Sequence, residues 1–248
     1  MSLSAYRSSP AEQERTRDLL SLSPGSGRRA LDIGARDGHF SRLLAERFQE
    51  VVALDLQRPE FEHPGVLTVQ GDLTALDFPD GAFDFVLCAE VLEHIPPQLL
   101  HQACHELQRV CCGRLLIGVP NGQDLRVGRT TCARCGGFNP PWGHVNRFDA
   151  GSLAALFPQF RVASHHLVGH TRERSNALSA WLMDLAGNPY GTYAQQEPCV
   201  HCGGGIGAPA PRSLGQKVLT KLAFWARWPS EALHPPRGNW LHLLLERR

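Results

Sequence analysis

A chain of 248 residues with 42% hydrophobic and 20% charged residues can bury the core of one large α/β domain, which excludes a wholly disordered or fibrous chain. A formal net charge of +1, with lysine only at Lys217 and Lys221, leaves no basic run and argues against a nucleic-acid partner. No apolar run reaches the length of a membrane span, and the N-terminus lacks the apolar stretch of a secretion signal. The expected location is therefore the cytoplasm, where the eight cysteines would be reduced or metal-bound.

Ser9-Pro10-Ala11-Glu12 pairs an N-cap serine with proline at the first helical position and predicts a helix to about Leu20. Residues 23–27 break the chain, and Arg29 to Ile33 reads as the first strand. After Gly38, Phe40, Leu43, Leu44 and Phe48 fall on one helical face. Further strands follow at Val51 to Asp55, Val66 to Val69 and Phe83 to Cys88. Pro96 and Pro97 open a helix with Ala103, Leu107 and Val110 inward and Gly113 as its C-cap. Arg114 to Val119 is a fifth strand.

The second half is less regular. Residues 122–147 and 188–212 are rich in Gly and Pro. Between and beyond them lie a helix capped by Asp149 to about Phe157 and a strand from Phe160 to Val168. A helix from Glu173 to Ala186 ends at Gly187, and another runs from Ser213 to about Trp228. A last strand runs from Asn239 to Glu246. There is no internal repeat.

Alternating strands and helices predict an α/β, doubly wound, mostly parallel sheet with helices on both faces. Ligands of such sheets bind at the carboxyl ends of the strands. Asp32 with Gly34, Asp55, Asp72, and Cys88 to Glu90 all fall at predicted carboxyl ends. A nicotinamide fingerprint, G-x-G-x-x-G, fails from Gly34, because Arg36 and His39 occupy the second and third glycine positions.

Cys132-Ala133-Arg134-Cys135-Gly136-Gly137 and Cys199-Val200-His201-Cys202-Gly203-Gly204 are two C-x-x-C-G-G knuckles. Together they offer the four thiolates that structural zinc prefers, in a closed and non-catalytic set. Such a zinc would tie residues 122–147 and 188–212 into a lid over an acceptor pocket, with Phe138, Trp142 and Tyr190 or Tyr193 as candidate walls. Cys88, Cys104, Cys111 and Cys112 read as packing residues.

Asp32-Ile33-Gly34-Ala35-Arg36-Asp37-Gly38 resembles the first motif of class I S-adenosylmethionine (SAM)-dependent methyltransferases of the small-molecule type. That motif is an acid followed by three glycines at alternate positions, and Arg36 stands where its middle glycine would be. Gly71-Asp72-Leu73, Phe83-Asp84-Phe85-Val86, Glu90-Val91-Leu92-Glu93-His94-Ile95, Val119-Pro120-Asn121 and Gly143-His144-Val145-Asn146-Arg147-Phe148 resemble later family segments in the family's order.

The resemblance implies a single Rossmann-like domain over residues 1–248, with a seven-stranded sheet and methyl transfer to a small-molecule acceptor. It implies cofactor contact at Asp32, Gly34, Ala35, Arg36 and Gly38, at Asp55 and Leu56, at Asp72 and Leu73, and at Cys88, Ala89 and Glu90. Asp55 would hold the ribose hydroxyls and Asp72 the adenine amino group. His94 and His144 are the candidate catalytic residues, needed only if a base must deprotonate the acceptor. A zinc-ribbon RNA methyltransferase and a non-catalytic binding module of the same fold are the alternatives.

Overall fold

The computed structural model describes residues 7–189, 197–206 and 211–248. In chain order its elements are α1 (Pro10–Leu22), β1 (Gly27–Ile33), α2 (His39–Ala45), β2 (Phe48–Asp55), β3 (Val66–Gln70), β4 (Phe83–Ala89), α3 (Leu100–Val110) and β5 (Cys111–Pro120). There follow β6 (Thr130–Thr131), β7 (Phe138–Asn139), α4 (Ala150–Ala155), β8 (Phe160–Val168), α5 (Ala177–Leu185), α6 (Leu214–Ala232) and β9 (Trp240–Arg247). Two compact units result. One comprises the chain up to Asn121 with Phe148–Gly169 and Gly238–Arg248, and the other comprises Gly122–Arg147 and His170–Arg237.

The first unit is built on a seven-stranded sheet of order β3-β2-β1-β4-β5-β9-β8. Strands β1 to β5 pair in parallel. Strand β9 enters antiparallel between β5 and β8. Alternation along the strands divides the core between two faces. Leu31, Ile33, Val52, Leu54 and Val86 pack with Ala103 and Leu107 of α3. Ala30, Val51, Phe85, Leu87 and Leu116 pack on the other face with Leu19 of α1 and Phe40 and Leu44 of α2. Chain order reverses between β1 and β4, which makes the carboxyl ends of those two strands the natural ligand edge.

Four local expectations change. Gly113 is not a helix cap, because α3 ends at Val110 and β5 starts at Cys111. The register shifts between Phe83 and Phe85, and a Cβ on Gly113 would sit 2.2 Å from the Asp84 carbonyl oxygen. The glycine is there for a close approach of two strands. Cys88, Cys104 and Cys111 are buried as expected, but Cys112 is exposed. Helix α5 starts later than Glu173, where Asn176 and Ser179 form a reciprocal capping box. Helix α6 passes Trp228 and continues to Ala232 with Pro229 inside it.

Candidate functional site

The turn after β1 is shaped by two left-handed glycines, Gly34 (φ 75°) and Gly38 (φ 72°). A Cβ on Gly34 would lie 2.5 Å from Val91 Cγ2, and one on Gly38 would lie 2.3 Å from the Phe61 ring. Both positions therefore require glycine on grounds of conformation and space. The Gly34 and Ala35 N–H groups donate to the Leu54 carbonyl, which locks the turn to the end of β2. Arg36 is exposed and left-handed (φ 45°), where a glycine would be unstrained. Its backbone N–H donates to Asp55 Oδ2 at 3.0 Å, so the acid ending β2 closes onto the turn ending β1.

Asp32 is buried and accepts from Ser41 Oγ of α2 at 2.5 Å. Burial pushes its carboxyl up to about 7 against the lowering effect of that hydroxyl. Asp72 is exposed after β3, and its Oδ1 accepts from the Thr74 N–H and hydroxyl, both at 2.8 Å. Leu56 is 66% exposed at the same edge while Leu73 is buried. Cys88 is buried, its thiol pushed up by burial, and Glu90 beyond Ala89 takes a left-handed φ of 59°.

Sequence reasoning missed Glu93 as a site residue. It is buried, and neither carboxylate oxygen has a hydrogen-bond partner. Burial first, and then the neighbouring Glu90, push its carboxyl well up. Glu90 Oε1 is likewise shut from solvent without a partner. Buried carboxyl oxygens without partners cost free energy unless a ligand or water satisfies them, so the three oxygens mark this edge as a place built to receive something. The signal was in Glu90-Val91-Leu92-Glu93, but a glutamate is read as solvent-facing by default. The same default hid Glu12 and Arg15 of α1, a buried ion pair with Arg15 Nε 2.7 Å from Glu12 Oε2.

Among the candidate bases, His94 is exposed in the first unit, its N–H donating to the Val91 carbonyl at 3.0 Å. His144 lies in the second unit, is buried, and its Nδ1 is 2.6 Å from Gln123 Oε1. The Trp142 ring lies 5.9 Å from that of His144. Trp142 and Phe138 are partly exposed, while Tyr190 and Tyr193 lie outside the described residues.

The second unit gathers the four knuckle cysteines. The Sγ atoms of Cys132, Cys135, Cys199 and Cys202 all lie within 4.8 Å of one another. Cys132 and Cys202 are 3.9 Å apart, and Cys135 and Cys199 are 3.6 Å apart. Sulfurs around a tetrahedral zinc with Zn–S near 2.3 Å stand roughly 3.8 Å apart, whereas a disulfide needs about 2.05 Å. Both knuckles make the same backbone bonds: Gly136 N–H to Cys132 O with Cys132 N–H to Gly137 O, and Gly203 N–H to Cys199 O with Cys199 N–H to Gly204 O. Asn139 is buried and its Oδ1 accepts from Val200 N–H at 2.9 Å, which staples one knuckle to the other. Shifts divide across the cluster: burial raises the Cys199 thiol, but amides of His201 and Cys202 outweigh it and lower that thiol, while the Gly137 amide at Cys135 is outweighed by burial and the neighbouring thiols, which raise that one.

Residues 31–114 match the family model described as Methyltransferase domain. A ubiquinone biosynthesis O-methyltransferase of Pseudomonas aeruginosa is 32% identical over 93 residues, covering 33% of this chain and 40% of that protein. A Mycobacterium tuberculosis protein named as a probable S-adenosylmethionine-dependent methyltransferase is 29% identical over 138 residues, covering 53% of this chain and 47% of its own. The chain thus spans under half the length of these relatives. An S-adenosylmethionine-dependent methyltransferase from Mesorhizobium loti shares the fold, with a TM-score of 0.54 at 16% identity over 93% of this chain and 96% of that one. No helix among the described residues is long and apolar enough to cross a membrane.

Proposed function

We propose that the sheet unit, a class I SAM-dependent methyltransferase domain, transfers a methyl group from SAM to a small-molecule acceptor. The observation that carries this reading is the closure of the β2 acid onto the β1 turn, where Asp55 Oδ2 accepts the Arg36 N–H. Asp55 Oδ1 makes no bond among the described residues and is placed to accept from the ribose hydroxyls. Asp72 accepts from the adenine amino group, and Leu56 and Leu73 flank the base. Gly34, Ala35, Arg36 and Gly38 bring backbone close to the methionine part, with Asp32 bracing the turn from beneath through Ser41. Cys88, Ala89 and Glu90 form the facing wall. When bound, SAM supplies a methyl group on a sulfonium sulfur, which an acceptor nucleophile takes by direct displacement.

What the protein must add is alignment of the acceptor and exclusion of water. The name of the Pseudomonas relative specifies O-methylation for that protein, so a hydroxyl on a metabolite, lipid or sugar is the first acceptor class to test here. Of the two candidate bases, His94 belongs to the sheet unit and is the proposed proton acceptor for such a hydroxyl. The four cysteines are proposed to hold one structural zinc, whose all-sulfur shell leaves no open position for chemistry.

The test is to incubate the protein with methyl-labelled SAM and a fractionated small-molecule extract, and to follow label by mass spectrometry. Protein-dependent label in a product, lost in Asp55→Ala, is expected. Retained SAM binding with no transfer to any fraction would reduce the domain to a binding module.

A further inference from the structure

Helix α6 turns its largest apolar side chains outward. Its inward side mixes polar with apolar and small residues: Gln216, Leu219, Thr220, Ala226, Arg227 and Ser230 are partly buried, and Ala223 is its only fully buried residue. Asn176, which caps α5, donates from Nδ2 to the Ala226 carbonyl at 2.7 Å and to Ser230 Oγ at 2.8 Å. The outward side is apolar. Leu214, Val218, Leu222, Trp225 and Trp228 are 40–81% exposed and follow one another at helical spacing. Trp181 of the neighbouring α5 is 56% exposed. A surface helix ordinarily turns its apolar stripe to the core, and monomeric proteins rarely leave a stripe of this size in water.

The charges of the segment have one sign. No Asp or Glu occurs between Glu197 and Glu231, while Arg212, Lys217, Lys221 and Arg227 do. Arg227 is paired with Glu231. Lys217 and Lys221 are exposed on the outward side, and they are the only lysines in the chain. Neither takes part in an ion pair among the described residues. We propose that α6 lies flat on an anionic lipid bilayer, its tryptophans and leucines in the acyl boundary and Lys217 and Lys221 at the headgroups.

Three features select that occupant. Tryptophan is favoured where hydrocarbon meets headgroup. Unopposed lysines beside an apolar stripe complement an anionic surface. A second copy on the same face would bring Lys217 and Lys221 of each copy together with no acid on the stripe to pair them. Single-stranded RNA would use the rings and cations but has no use for Leu214, Val218 and Leu222. The helix lies in the interface and does not span, since it is too polar along its length to cross.

The proposal is independent of the methyl-transfer reading, and its test needs no acceptor. The full chain is sedimented with vesicles of phosphatidylcholine alone or mixed with phosphatidylglycerol, at low and high salt, while tryptophan emission is followed. Binding to the mixed vesicles, a blue shift and weakening by salt are expected. Trp225→Ala with Trp228→Ala should abolish binding, and Lys217→Ala with Lys221→Ala should weaken it roughly 30-fold, at about one headgroup-strength interaction per lysine. These side chains are exposed, so circular dichroism and metal content should match the parent. Absence of vesicle binding would overturn the proposal. So would a concentration-dependent dimer abolished by the tryptophan pair, or salt-steep RNA binding lost with the lysine pair.

Discussion

In the sheet unit Phe85, Leu87 and Leu116 are fully buried, whereas the 19-residue helix α6 of the second unit buries Ala223 alone. The sheet unit is stabilised by apolar area removed from water on both faces of seven strands. The second unit turns large apolar side chains outward, gathers four cysteines, and is tied by the Asn139 staple and the Asn176 cap. Two units of one chain thus meet the same entropy cost differently, one with a core and the other with side-chain hydrogen bonds beside a four-cysteine cluster. The contrast teaches that a unit whose apolar pattern is spent on a surface needs ties of another kind, and a zinc on the four cysteines is the tie proposed here.

The largest expected effect follows from that contrast. A structural zinc contributes on the order of 10 kcal/mol to the element it closes. Chelation, or Cys199→Ser, should therefore unfold the second unit while the sheet unit keeps its own melting transition and its SAM affinity. Hydrogen exchange resolved by residue would report it. A purified protein free of zinc, with protection unchanged in residues 130–139 and 197–206, would break the comparison.

The next effect belongs to the sheet unit alone. His242 is fully buried in β9 with Nδ1 2.6 Å from Asp18 Oδ2, and Asp18 Oδ1 also meets His166 Nδ1 at 2.8 Å. Burial brings His242 from 6.5 down to about 4, in spite of Asp18. A base with a lowered folded pKa supports stability above about 6.5, and that support is lost as pH falls towards 4, a loss on the order of 3 kcal/mol. Asp32 works the other way, because its raised carboxyl loses its contribution as pH rises from 3.8 to about 7. His242→Gln removes the first effect and leaves the second. Denaturant melts at pH 7 and pH 4 should show the parent losing more stability than the variant. Parallel losses would contradict the assignment.

The smallest effect is at Arg36. Relief of its left-handed strain by Arg36→Gly, worth about 1 kcal/mol, is largely offset by glycine's unfolded-chain entropy, so stability should barely change. Arg36→Val should cost roughly 1–2 kcal/mol, since a β-branched residue tolerates a φ of 45° poorly. SAM affinity should be unchanged in the glycine variant, because the N–H that meets Asp55 is retained. A marked loss of affinity would mean that the side chain reaches the cofactor.

Much of the sheet was legible because strands buried on both faces read as unbroken apolar runs, such as Val51-Val52-Ala53-Leu54. The acids and glycines at their ends were legible because turns need them. The cysteine cluster was legible because two like spacings imply one shared center. Contacts between distant residues were not. Nothing near Asp18 in sequence announces His166 or His242, and nothing local tells that Glu93 faces inward. Gly113 looked like a cap because its role depends on Asp84 of the neighbouring strand. Helix α6 shows its apolar stripe in sequence, but periodicity cannot say whether a stripe faces the core or the solvent.

The central claim is that the carboxyl edge of the sheet holds SAM. Isothermal titration of the purified chain with SAM, beside Asp55→Ala, tests it most directly. One site per chain is predicted, with affinity lost at least tenfold in the variant, since removing a partner of charge-assisted hydrogen bonds costs about 1.5–3 kcal/mol. No heat with SAM in the parent, or equal affinity in parent and variant, would contradict the account.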